Sequence, residues 1–185
     1  MINLMPYDEL NTITTYVEVA KQSKDLGITE TEIVDEVLDL LILSYVYGCR
    51  AANLMLGTSE EPDSDVMQKT IYKKIDDKTF ADRIVDHWRN GDFEGIKRVA
   101  ETETHRLYNA GEIDSARSSG LPVTKTWVTM LDDKVRDTHD YLEGMSIGID
   151  DRFYTYDGDS ALYPGEFELA ENNVNCRCLV ELSLA

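Results

Sequence analysis

The stretch VTKTWVTMLDDKVRDTHDYLEG, residues 123–144, decides the fold class because the character of the sequence changes there. Residues 123–130 alternate between apolar and polar side chains and are rich in β-branched residues, which is typical of a strand. Residues 132–142 indicate a short helix that Gly144 ends. Directly before the stretch, the sequence SSGLP at 118–122 interrupts the preceding pattern, so we place a boundary near residue 120 or earlier.

The sequence before this boundary has the three- and four-residue apolar spacing of amphipathic helices. We predict helices at about residues 30–56, 63–75, 78–90 and 93–116. Thr29 and Glu32 have the spacing of a capping box at the start of the first of these. A further helix near the N-terminus is predicted from apolar residues at helical spacing, namely Leu10, Ile13, Tyr16, Val17 and Ala20.

After residue 144 the sequence predicts short strands at about 152–156 and 178–182, separated by turns such as DGDS at 157–160. The predicted fold class is therefore α+β. A helical N-terminal portion is followed by a compact α+β domain with a small, mainly antiparallel sheet. We assign residues 1–92 to a helical leader and residues 93–185 to the second domain.

Composition limits the classes of function. The formal net charge of −18 argues against direct binding of DNA, because an acidic surface releases no counterions from phosphates. The favoured explanation of this negative charge is that it keeps the protein soluble. The alternative is that the protein works beside basic partners or packed nucleic acid. Three cysteines are an odd number, which argues against a secreted disulfide framework. The longest uncharged apolar run, residues 40–47, is too short to span a bilayer, and no signal peptide is visible, so we expect no membrane association.

Asp132, Arg136 and His139 are spaced to share one face of the predicted helix at 132–142. Asp132 is placed to pair with Arg136 one turn away and to cap the start of the helix. A buried hydrogen-bond network that holds the helix on the sheet is the favoured interpretation, and a metal or catalytic site is the alternative.

Cys176 and Cys178 lie two residues apart, so in a strand both thiols point to one face. With His139 they would form a Cys2His set, to which an aspartate or glutamate could add a fourth ligand for zinc. A lone CxC pair is weak evidence for a metal, so the alternatives are two small core residues, a metal site or a redox pair. Earlier in the chain, Glu103 and Arg106 are one helical turn apart. They predict either a surface ion pair or inward-facing groups that join the network around Arg136.

Four motifs follow one another in a specific order: TETHRLYNAGEIDSA at 102–116, residues 124–153, YPGEF at 163–167 and NCRC at 175–178. This order resembles that of Mu F-like phage head morphogenesis proteins, the minor capsid proteins of tailed phages and prophages. The resemblance covers about residues 95–182. The residues that carry it are Glu103, Arg106, Trp127, Asp132, Arg136, His139, Leu142, Gly144, Phe153, Pro164, Gly165, Asn175, Cys176, Arg177 and Cys178.

The resemblance implies a minor protein of the capsid interior that binds the portal and assists head assembly or DNA delivery. In these terms residues 93–185 are the Mu F-like domain, and the helical leader at residues 1–92 is the candidate portal-docking region. The implied partners are the portal protein and, as further candidates, the scaffold and major capsid proteins; the implied location is the virion, with the host cytoplasm during assembly. Some longer family members carry a toxin domain after this region. Because the sequence stops soon after NCRC, we expect no such domain, and a toxin or ADP-ribosyl-transferring activity has no supporting motif.

We therefore predict no enzymatic activity, no catalytic residues and no cofactor. The predicted site is a structural polar network, comprising Glu103, Arg106, Asp132, Arg136, His139, Asn175 and Arg177. The alternative function is a metal-dependent hydrolase or nuclease that would use His139 with Cys176, Cys178 and Asp132. In that case the ion would be zinc.

Overall fold

The computed structural model describes residues 27–185. The helix predicted from residues 10–20 lies outside the described residues. The helical portion that is described contains α1 (Glu30–Leu56), α2 (Ser64–Ile71), α3 (Phe80–Arg89) and α4 (Phe93–Ser118). The four predictions for this region are confirmed, with one clear difference at the end of α2. That helix stops four residues early, at Ile71. Ile75 instead pairs with Lys78 across a tight turn in which Asp76 and Asp77 take positive φ angles of 51° and 61°.

The starts of the helices follow the polar residues that precede them. Thr29 caps α1 in a capping box with Glu32, as predicted, and Gly57 ends the helix with a φ of 68°. Thr79 and Asp82 form a second capping box at the start of α3. Because these caps satisfy backbone N–H groups locally, the helix starts could be located from sequence alone.

Helices α1 and α4 cross at two glycines, and this contact forms the centre of the helical portion. A Cβ atom on Gly48 would lie 2.0 Å from the carbonyl oxygen of Tyr108. A Cβ atom on Gly111 would lie 2.1 Å from the carbonyl oxygen of Tyr45. The two backbones therefore touch, and α1 shares one core with α4 and the sheet. The division into residues 1–92 and 93–185 stays a prediction.

Helix α1 also bears on the prediction about membranes. Its 27 residues are long and apolar enough to cross a bilayer by length and composition, although the longest uncharged run predicted otherwise. The core helix of a protein outside membranes meets the same criterion, and half of the most apolar window of α1 is buried within the fold. This property is therefore weak evidence for a membrane span.

The C-terminal portion contains β1 (Val123–Val128), α5 (Asp137–Asp140), β2 (Ser146–Gly148), β3 (Phe153–Tyr154), β4 (Ser160–Ala161), α6 (Ala170–Asn173) and β5 (Leu179–Leu184). The first sheet has the order β2-β1-β5, and both pairings are antiparallel. Strands β3 and β4 form a separate antiparallel pair around the predicted turn at 157–160. The predicted α+β class with a small antiparallel sheet is confirmed.

The helix predicted at residues 132–142 is wrong, because only one turn, α5, forms there. Leu131 has a φ of 53°, and the Asp132 carboxylate accepts a hydrogen bond from the backbone N–H of Lys134 at 3.1 Å. This local bond competes with helix formation and produces a turn. Arg136, with extended backbone, is the residue before α5. Asp132 therefore caps no helix, and the predicted pair of Asp132 with Arg136 does not form.

Candidate functional site

Three buried side chains converge where the β1–β2 connection meets the segment before β5. The Nδ1 atom of His139 lies 3.6 Å from the Cys176 sulfur and 3.5 Å from the Cys178 sulfur. The three potential ligand atoms all lie within 4.8 Å of one another. The structure thus brings both thiols to one partner, although the cysteines precede β5 and are not part of a strand.

The backbone around the two cysteines is fixed by a turn and by α4. Asn175 takes a φ of 58°, and the Cys176 N–H donates to the Asn173 carbonyl at 3.0 Å. The Cys178 carbonyl accepts hydrogen bonds from His105 Nε2 at 2.6 Å and from the amide of Asn109 at 3.3 Å. These bonds orient the segment, so that both thiols face His139.

Aromatic rings hold His139 in place. Phe167 stacks on the imidazole with ring centroids 5.3 Å apart, and Trp127 meets it edge-on at 5.5 Å. Trp127 in turn packs on Phe153 at 5.0 Å. Among the described residues, His139 Nε2 has no hydrogen-bond partner. The ring is therefore positioned by packing, and its Nδ1 atom is the one that faces the thiols.

The two thiols differ in their electrostatics because they interact with each other. A hydrogen bond from Cys178, with a smaller one from His139, lowers the pKa of the Cys176 thiol well below its usual value. The hydrogen bond to Cys176, together with burial, raises the pKa of Cys178.

The three donors line a cavity of about 10 Å³, which has room for about one water molecule or one ion. Three basic residues, Lys134, Arg136 and Arg177, also line it. Arg177 forms two hydrogen bonds, at 2.9 and 2.6 Å, with the Asp132 carboxylate, and these bonds lower the pKa of Asp132. Arg136 donates to the Val174 carbonyl. The cavity is therefore small, and Lys134 and Arg136 are the basic residues of its lining that no carboxylate pairs with in the described part of the chain.

Glu103 and Arg106 form a second, separate cluster. Arg106 donates from Nε to Glu103 at 2.8 Å, and both side chains are completely buried, so the prediction of a surface pair is wrong. Glu103 also accepts from Arg83 on α3 at 2.7 Å. Arg106 donates to the carbonyls of Thr70 and Ile71 at the end of α2. The pair faces inward, but it holds α2 and α3 on α4 and does not join Arg136.

The seven residues predicted as one network are therefore found at two places. Glu103 and Arg106 bridge the helices, while Asp132 and Arg177 pair beside the cavity that Arg136 and His139 line. Asn175 supplies the left-handed turn, and its N–H donates to Thr102 Oγ1 at 3.3 Å.

Sequence reasoning missed buried polar residues that support this arrangement. Lys125 is fully buried and donates to the carbonyls of Ile149 and Leu162 at 2.9 and 2.8 Å, and burial lowers its pKa to about 7. The Asp159 carboxylate accepts from the Asn172 amide at 2.9 Å and from the backbone N–H groups of Glu168 and Leu169 at 3.2 Å each. The alternation of β1 could have indicated that Lys125 faces inward, because it shares the face of Trp127.

Comparison with known proteins identifies the class to which this fold and these motifs belong. The chain belongs to the family described as phage Mu protein F like protein, whose model matches residues 60–181. The predicted resemblance is confirmed, and the match extends further towards the N-terminus than predicted, because it includes α2 and α3.

Two curated relatives are similar to the chain. The minor head protein GP7 of Bacillus phage SPP1 is 36% identical over 82 residues, which are 43% of this chain and 27% of that protein. The NAD(+)–arginine ADP-ribosyltransferase EFV of Enterococcus faecalis (strain ATCC 700802 / V583) is 26% identical over 163 residues, 85% of this chain and 33% of that protein. The chain thus spans about a third or less of these relatives. No solved structure matches it.

Proposed function

We propose that the chain is a non-enzymatic minor head protein of a tailed phage or prophage. It binds the portal inside the procapsid and assists head assembly or DNA delivery. The observation that carries this proposal is the family match over residues 60–181, together with the similarity to a protein named as a minor head protein. A role in phage head morphogenesis is supported at the level of the family. The portal, the interior location and the manner of assistance are our proposal.

The helical portion offers a surface suited to the portal. At the end of α1, Leu54 and Met55 are exposed to 65% and 44%. A groove of about 580 Å³ opens beside Leu54, between the end of α1 and the loop through Pro62. Exposed apolar side chains beside a groove with a polar rim are typical of a protein interface. Scaffold and major capsid proteins are the other candidate partners.

The double variant L54E/M55E is expected to reduce capture of the cognate portal protein at least tenfold, because it places two charges in the proposed interface. Co-expression followed by affinity purification of the tagged chain measures this. The matched control is Y154E/Y156E, which alters two side chains that are both 63% exposed in the C-terminal portion. An equal loss of portal capture in both variants would contradict the proposed docking surface. No capture of the portal by the unaltered chain would contradict portal binding itself.

The similarity to an ADP-ribosyltransferase makes the absence of activity a point to test. The burial of the candidate catalytic residues supports a non-enzymatic role. His139 is 1% exposed, and its cavity admits little more than a water molecule. The metal-dependent hydrolase would need Asp132, which is paired with Arg177 and lies outside the group of three donors. The geometry therefore favours a structural role.

We expect no transfer when the purified chain is incubated with labelled NAD+ and arginine-containing acceptor proteins. We also expect no cleavage of plasmid DNA when zinc is supplied. Heat-denatured chain sets the background for both assays. Label in the acceptor, or nicked plasmid, above that background would contradict the non-enzymatic assignment without affecting the portal experiment.

A further inference from the structure

The distances from the His139 imidazole to the Cys176 and Cys178 sulfurs match those between ligands of one zinc ion. Zinc binds thiolate sulfur at about 2.3 Å and imidazole nitrogen at about 2.0–2.1 Å, with tetrahedral angles. Those values place a ligating sulfur about 3.5–3.6 Å from a ligating nitrogen. The two sulfur–Nδ1 distances are 3.6 and 3.5 Å, and all three donor atoms lie within 4.8 Å of one another, so the donors are spaced as ligands of one ion are.

We propose that these three residues bind one zinc ion, which clamps the β1–β2 connection to the segment before β5. His139 comes from α5 and the cysteines from beyond α6, 37 and 39 residues later in the chain. The region between them has little regular structure, since β3 and β4 contain two residues each. A metal bond between distant segments stabilises such a region more effectively than two short strands do.

The cavity supplies the fourth position. Its volume of about 10 Å³ is too small to hold a substrate beside the ion, so the fourth position takes at most one small ligand and the site acts as a structural clamp. Among the described residues, the group contains no carboxylate, which excludes the oxygen-binding ions magnesium and calcium. Two thiolates would balance the charge of the zinc ion. The basic side chains of Lys134 and Arg136 in the lining of the cavity favour the thiolate form of such a set.

Elemental analysis of full-length protein, purified without added metal, is expected to give about one zinc per chain. The C176A/C178A variant should fall below about a tenth of an equivalent. The matched control is C49A, because Cys49 is also buried and reduced but lies on α1, outside the group of donors. Equal zinc loss in C49A would overturn the assignment of the ligands.

Cobalt substitution of the unaltered protein gives a readout that does not depend on whether the cysteine variant folds. Replacement of zinc by cobalt should produce a thiolate charge-transfer band and the intense visible bands of a tetrahedral site. Less than a tenth of an equivalent of zinc, together with no such bands after reconstitution, would overturn the proposal. A Cys176–Cys178 disulfide in freshly purified protein, detected as a mass lower by two hydrogens before reduction, would also overturn it.

Discussion

Replacement of Arg106 by alanine is expected to lower the free energy of unfolding by roughly 3–5 kcal/mol. The change removes the fully buried partner of Glu103 and leaves that carboxylate with Arg83 as its remaining cation. It also deprives the Thr70 and Ile71 carbonyls at the end of α2 of a hydrogen-bond donor. Buried polar groups without partners have lost their hydrogen bonds to water and form none within the protein, which destabilises the fold. Urea denaturation followed by circular dichroism measures the change.

Arg177→Ala is the matched control, because Arg177 also pairs with a carboxylate but is 42% exposed in its side chain. Its pair should contribute less than about 1 kcal/mol. The double variant E103L/R106M should recover most of the stability, since replacing both buried charges by apolar groups leaves neither charge unpaired. Similar losses in R106A and R177A would contradict the view that burial decides the energy of these pairs.

Close packing explains part of the sequence motif around Arg106. Gly165, in YPGEF, lies so close to α4 that a Cβ atom on it would be 2.9 Å from the Cβ of Arg106. Its φ of 89° also favours glycine. The glycine lets the loop cover the arginine, and this cover completes the burial of the ion pair. Two of the four motifs therefore meet in space and serve one structural purpose.

The elements that could be predicted from sequence are those set by local interactions. The helix starts at Thr29 and Thr79 depend on side chains that bond to the backbone three residues away. The strand β1 shows its alternation directly. The fold class follows from these elements, because a run of helices followed by short strands has few compact arrangements.

The features that could not be predicted depend on distant contacts or on competition between two local structures. Asp132 and Arg136 have helical spacing, but the same aspartate also stabilises a turn, and Leu131 takes a left-handed conformation. Glu103 and Arg106 look like a surface pair until α2, α3 and the YPGEF loop cover them. The spacing of Cys176 and Cys178 correctly predicted that both thiols point in one direction. It also placed the two cysteines in a strand, but that strand begins only at Leu179.

The contact between α1 and α4 leads to the second large prediction, Gly111→Ala. Helix propensity alone favours this change by about 1 kcal/mol. However, the new Cβ would lie 2.1 Å from the Tyr45 carbonyl oxygen and 3.0 Å from the Cys49 nitrogen. These are backbone atoms, which cannot rotate away, so the two helices must separate along their shared core. We expect a net loss of about 2 kcal/mol or more, measured by urea denaturation.

Whether Gly111→Ala lowers or raises the free energy of unfolding shows whether close packing or helix propensity dominates at this position. Gly57→Ala is the matched control, because Gly57 ends α1, the other helix of this contact, and a Cβ atom on it would have no neighbouring atom within 4 Å. Its φ of 68° should cost about 1–2 kcal/mol through backbone strain alone. Gly48→Ala, on the opposite side of the crossing, should behave like Gly111→Ala. If Gly111→Ala raised the stability, the helices would have room to spare, and α1 would be free to move relative to α4. In that case the end of α1, which we propose as the portal-binding surface, would not be held rigidly on the rest of the protein.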